Sequence, residues 1–346
     1  MIDLKKPIKL KRTGAWRTYT GGSLIDALHG IKDTEDTNFP EEWIMSTVRA
    51  RNSGREDIVE GISFVDGTET TLADVINDNP ELALGKRHIE RFGNNLGVLV
   101  KIIDSAERLT IQVHPTKQKA LELFSSQFGK TECWHILGGR EIDGEKPCIY
   151  FGFKEGITRE HWEDVFARQD IPEMLNCLHK FEVKKGDTFL IEGGIPHAIG
   201  AGCFLVEVQE PTDYTVRTER VTPKGLKVAD FMCHQGLGFE KMFDCFTYEG
   251  FDENQVKERW KIERQDKNII GYNNTPMFRL EMLDIDGIET LKSNGVFSGI
   301  YVLEGQGELC GEFLKPGSQY FISAACEDFD IKGKLKLIRF YGPKED

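Results

Sequence analysis

Apolar residues in this chain come in short runs, and glycine closes most of them. Gly97-Val-Leu-Val-Lys-Ile-Ile, Thr188-Phe-Leu-Ile and Gly202-Cys-Phe-Leu-Val-Glu-Val are rich in β-branched and aromatic side chains, which suit a pleated surface. Their close spacing between glycine turns predicts a mainly β chain, folded as a sandwich or barrel. Helical patterns are fewer: residues 71 to about 77, 80 to about 91, 116–128, 158–167 and 172–179. In the third, Ala120, Leu121, Phe124 and Phe128 are expected on one face. Thr158 caps the fourth, and Pro172 occupies the first turn of the fifth. Residues 228–246, apolar but broken by glycine, suggest a helix and then a strand. A polar stretch, 252–274, precedes a β-type tail, in which Val302-Leu-Glu-Gly-Gln-Gly-Glu is followed by Leu314-Lys-Pro-Gly-Ser-Gln-Tyr-Phe-Ile. This phrase echoes Val183-Lys-Lys-Gly-Asp-Thr-Phe-Leu-Ile-Glu-Gly-Gly, so two related β units are expected, residues 1–250 and 251–346. The second has no histidine and cannot supply an imidazole ligand.

Composition agrees with two units: 346 residues correspond to roughly two domains at about 150 each. Acids outnumber bases by 57 to 44, a formal charge of −13, which argues against a nucleic-acid binder with a basic face. It leaves room for a small basic pocket, because local field and net charge are different quantities. With 39% hydrophobic and 29% charged residues the chain reads as soluble, and no run approaches the ~20 apolar residues of a membrane span. The first residues lack an apolar signal core, so a cytoplasmic location is expected. Eight scattered cysteines without a C-x-x-C pair read as reduced core thiols.

The strongest chemical signal is Thr110-Ile-Gln112-Val-His114-Pro115. In a strand, Gln112 and His114 share a face, and Pro115 ends it. Glu132 follows in Gly129-Lys130-Thr131-Glu132, and His197 in Gly194-Ile-Pro196-His197-Ala. Two imidazoles, one carboxylate and one amide oxygen can close around a divalent metal, zinc before manganese or iron. Each residue alone has a structural reading too; the combination, each member beside a turn at a strand end, carries the signal. A basic group accompanies them: Lys130, Arg217 and Lys224. In an acidic chain such bases also serve as partners for Asp213, Glu207 or Glu219, and the residues by themselves favour pairing.

Gln-Val-His-Pro, Lys-Thr-Glu-x-Trp, Gly-x-Pro-His-Ala, and Asp-x-x-x-Arg with Thr-Pro-Lys, in this order, resemble the class I mannose-6-phosphate isomerases, most closely their short bacterial form. The resemblance implies two cupin-type (jelly-roll) β-barrels with a few inserted helices, and one zinc ion per chain held by Gln112, His114, Glu132 and His197. It implies interconversion of mannose 6-phosphate and fructose 6-phosphate through a cis-enediol. Arg217 and Lys130 are then catalytic candidates, and Lys224, Asp213 and Thr110 bind the sugar phosphate. The N-terminal Trp-Gly motif is stretched here around Trp16. Ile199 stands where many relatives have tyrosine, and Glu41-Glu-Trp43 resembles an acidic-tryptophan stretch near the site mouth. The competing readings are a non-catalytic sugar-binding or regulatory cupin, an isomerase of another sugar and a metal-dependent oxygenase.

Overall fold

Alternation along the strands sets the layers of this fold, seen in a computed structural model that describes residues 2–345; counts below refer to those residues. The chain is mainly β, with antiparallel pairing throughout its three sheets. A six-stranded sheet is ordered Gly14–Ala15, Glu41–Ile44, Leu99–Asp104, Cys203–Gln209, Glu132–Gly139, Thr188–Ile191. A five-stranded sheet is ordered Val216–Arg217, Gln112–Val113, His197–Ile199, Cys148–Phe153, Leu178–Glu182. On Leu99–Asp104, Val100 and Ile102 enter one core with Val206, Val208 and Cys133, while Ile103 joins Trp134, Leu205 and Phe151 in another. The period of two thus gives the six-stranded sheet two working faces. One turns toward the five-stranded sheet and encloses the candidate site. The other packs on a seven-stranded sheet through Phe278, Leu280, Phe321 and Phe340.

That seven-stranded sheet holds the tail strands Asn268–Ile270, Arg279–Leu291, Ser298–Leu309, Glu312–Leu314, Gln319–Ile322 and Phe329–Tyr341. Its remaining member is Ile8–Leu10, which pairs with Gln319–Ile322. Helices Arg159–Arg168 and Ile171–Asn176 cover the outer face of the five-stranded sheet, where Trp162, Val165 and Met174 meet Ile111, Val113 and Val216.

Several expectations are met locally. Thr71, Thr116 and Thr158 each accept a backbone N–H at the start of a helix, and Thr71 forms a capping box with Asp74. Others need correction. Residues 80–91 form two helices, Pro80–Leu84 and Lys86–Phe92, separated at Gly85. The third helix is Lys117–Phe124; Leu121 is 63% exposed, and Ala120 is its buried contact. The fifth ends at Asn176, and His179 belongs to the strand Leu178–Glu182. No strand forms in 228–246, where helical turns Asp230–His234, Gly238–Lys241 and Met242–Cys245 follow one another. The polar stretch contains a helix, Glu253–Trp260, with Val256 and Trp260 buried. All eight cysteines are unpaired and seven are buried, but Cys310 is exposed and so is not a core thiol. No helix is long and apolar enough to cross a membrane.

Candidate metal centre

The two inner sheets bring together residues far apart in sequence. Gln112 and His197 are register partners on neighbouring strands, and His114 follows one residue beyond the strand end. Glu132 opens a strand of the facing sheet. His114, Glu132 and His197 are buried, and their ligand atoms all lie within 4.8 Å of one another.

The tautomers are fixed by carbonyls. His114 Nδ1–H donates to Tyr214 O at 2.8 Å, and His197 Nδ1–H donates to Ile195 O at 2.9 Å. A carbonyl only accepts, so both Nε2 atoms present lone pairs. Those atoms face each other at 3.2 Å. Glu132 Oε1 lies 3.5 Å from His197 Nε2 and has no hydrogen-bond partner although it is buried. The Gln112 amide is 3.2 Å from the same nitrogen, and a half-turn presents its oxygen. Converging lone pairs around an unsatisfied buried carboxylate need a cation. The Lys130 ammonium stands in for one, donating to His114 Nε2 at 2.7 Å and Glu132 Oε2 at 2.9 Å. Burial first, then Lys130, pushes His114 down to about 3, and burial likewise lowers His197. Burial alone would raise Glu132; Lys130 and the two histidines overcome it and hold the carboxyl well below its usual range. Neutral imidazoles beside a carboxylate form a set ready for a divalent metal.

A cavity of about 250 Å³ opens over this group, and Gln112, Lys130, Thr110, Asp213 and Arg217 all line it. Arg217, in register with Gln112, donates to the carbonyls of Thr215 and Met232 at 3.1 and 2.9 Å and forms no ion pair with the described residues. Burial lowers its pKa, with Asp213 opposing. Asp213 lies 3.8 Å from Arg17. Lys224 stands apart: its Nζ donates to Thr20 Oγ1 at 2.6 Å, lies 3.8 Å from Glu107 and is largely exposed. The other expected pairings resolve differently, since Glu219 binds Arg108 and Glu207 binds Lys101.

Sequence reasoning missed Arg17, Tyr19 and Lys101, and treated Glu207 as a mere partner. All four line the cavity with Glu41. Lys101 Nζ is 2.8 Å from Glu207 Oε1, whose other oxygen accepts from the Trp134 indole at 3.0 Å. Glu41 accepts from Tyr19 OH and the Trp43 indole, each at 2.7 Å, and pairs with Arg17 at 3.0 Å. Burial alone would raise Glu41; Arg17 and Lys101 override it and hold the carboxyl at about 2. Trp43 is fully buried, with Arg17 and Lys101 over its ring at 5.0 and 5.1 Å. Gly61 makes this packing feasible: its φ is +83°, and a Cβ there would lie 2.6 Å from the Trp43 ring. The readable signal was one lysine or glutamate inside an otherwise apolar strand, since burying a charge requires a partner. Ile199 packs into the apolar core between the sheets. Trp16 lines the cavity beneath Arg55.

Residues 268–342 match the model of the mannose-6-phosphate isomerase cupin domain, and residues 59–130 match that of the phosphomannose isomerase type I catalytic domain. The chain is related to the mannose-6-phosphate isomerases. It is 28% identical over 262 residues to mannose-6-phosphate isomerase of Streptococcus mutans, which covers 72% of this chain and 77% of that one. A mannose-6-phosphate isomerase of Bacillus subtilis is 27% identical over 253 residues, 71% of this chain and 75% of its own. The crystal structure of mannose 6-phosphate isomerase from Bacillus subtilis superposes with a TM-score of 0.71 at 23% identity, covering 97% and 99% of the two chains. A variant of phosphomannose isomerase from Salmonella typhimurium gives 0.73 at 16% identity, covering 98% and 100%. These two superpositions show a shared fold.

Proposed function

We propose that this protein is a metal-dependent aldose–ketose isomerase that interconverts mannose 6-phosphate and fructose 6-phosphate. The observation that carries this is the pair of facing Nε2 lone pairs beside the orphaned Glu132 oxygen, at a cavity walled by unpaired Arg217 and by Lys130. We read the two β units, 1–250 and 251–346, as cupin-type barrels, the first carrying the chemistry. Gln112, His114, Glu132 and His197 hold one zinc ion, which when bound supplies Lewis acidity at the O1/O2 edge of the sugar.

The rest of the chemistry belongs to side chains. The reaction moves a proton from C2 of the aldose to C1 by way of a cis-enediol, with no net redox change. Lys130, once its ammonium has given up one proton, is the amine in reach of the site that takes the C2 proton and returns it at C1. Arg217, held by two backbone carbonyls and lacking a carboxylate partner, faces the negative charge that develops on the enediolate oxygens. Thr110 and Asp213 bind sugar hydroxyls, and Lys224 reaches the phosphate from the rim once it leaves Thr20. An assay coupled to fructose 6-phosphate formation tests this. Mannose 6-phosphate turns over, free mannose does not, a chelator abolishes the rate and Zn²⁺ restores it. Absence of product from any aldose would leave a sugar-binding protein instead.

A further inference from the structure

A second cavity, about 390 Å³ in volume, lies on the seam between the six-stranded sheet and the tail sheet. That volume falls within the ~300–1,000 Å³ of small-molecule pockets. Its apolar lining comes from both sides: Leu137 and Phe204 from the first, Leu24 and Leu28 from the helix Ser23–Leu28 beside it, and Met282 and Leu303 from the second. A simple packing defect would be walled by apolar atoms alone. Here Lys185, Arg264 and Lys336 converge on the same space with one acid, Glu304. Glu304 binds Lys185 at 2.7 Å and lies 3.8 Å from Lys336. Asp284, outside the wall, lies 3.6 Å from Lys336 and 3.9 Å from Arg264. His135 donates to or accepts from Thr188 and is kept neutral by burial. Three bases against Glu304 on the wall and Asp284 beside it therefore leave a net +1, in a chain whose overall charge is −13.

We propose that this seam cavity is a second ligand site, for a small amphiphilic anion: an apolar body against Leu137, Phe204 and Met282, and an acidic head between Arg264 and Lys336. The strand Glu132–Gly139 begins at the metal group and reaches this wall at His135–Leu137, so the two sites share one strand. The site is separate from the isomerase cavity, and its test does not depend on that activity. The probe is 8-anilinonaphthalene-1-sulfonate, added to metal-loaded, folded protein and, in parallel, to Arg217→Ala, which alters the first cavity only. Saturable fluorescence at one probe per chain is expected. Arg264→Ala combined with Lys336→Ala weakens it at least ten-fold, as does Leu28→Trp, which narrows the apolar end, while circular dichroism and isomerase rate stay unchanged. Absent saturable binding, weakened binding in Arg217→Ala, or wild-type affinity in both folded seam variants overturns the proposal.

Discussion

Arg217 offers a way to test stabilisation of the reaction apart from binding of metal, because it lines the cavity but its side chain makes no hydrogen bond to any of the four metal-ligand candidates. Arg217→Ala is expected to lower kcat by ~10²–10³, the scale of one lost oxyanion donor, with bound metal unchanged by metal analysis. Glu132→Gln does the opposite: metal content falls, because the carboxylate that neutralises part of the cation's charge is gone. Glu41 gives a pH signature. Its folded pKa, about 2, lies below the ordinary carboxylate value of about 4.5, so its stabilisation is full above that value and is lost as pH falls toward 2. In that window Glu41→Gln removes up to ~1.4 kcal/mol per pH unit from the slope of unfolding free energy, measured by urea titration. That His114, Glu132 and His197 come together was legible in the sequence because each sits at a strand end near a turn residue, Pro115, Gly129 and Pro196. Arg17 and Tyr19 were not, since nothing local announces that a loop residue closes over a distant strand.

At the scale of elements, helix beginnings were readable, and so were the ends of the 71–77 and 158–167 patterns, each within one residue of Asp78 and Arg168, but the ends at Phe124 and Asn176 were not. A threonine cap works through its own neighbours, as Thr158 does with the His161 N–H, and so shows in a short sequence window. The ends are closed by Ser125, Gln169 and Gln235 in left-handed conformation, φ 53°, 51° and 52°, without the usual glycine signal. The 116–128 pattern therefore overran its helix. Ser125→Gly, which relieves that strain, is expected to raise stability by ~1 kcal/mol in chemical denaturation. Strands were legible wherever two-residue alternation met glycine turns. The failure over 228–246 has the same origin as the helix-end errors: apolar content without a clear period fits several short helical turns as well as a strand.

At the scale of the whole molecule, the tail sheet buttresses the strand that carries Glu41. Successive residues on Glu41–Ile44 point to opposite faces, so Glu41 enters the cavity while Glu42 enters the seam. There Glu42 accepts from Tyr301 OH at 3.2 Å and the Gln319 amide at 3.3 Å, and meets His29 at 2.7 Å. Tyr301→Phe leaves a buried carboxylate short of a donor, and a loss of ~1–3 kcal/mol is expected in thermal or urea unfolding. The tail strands were readable in the sequence from their glycine turns; the strand that joins them from the other end of the chain was not, because the three residues Ile8–Leu10 carry no mark of a partner more than 300 positions away. That pairing has a consequence for assembly. On the ribosome, the earliest strand to emerge waits for almost the last one, holding an unfilled edge open throughout synthesis. The two inner sheets can gather early, but the segment Ile8–Leu10 stays unmoored until Gln319–Ile322 arrives, so a chain cut short before that point releases the segment as a sticky end.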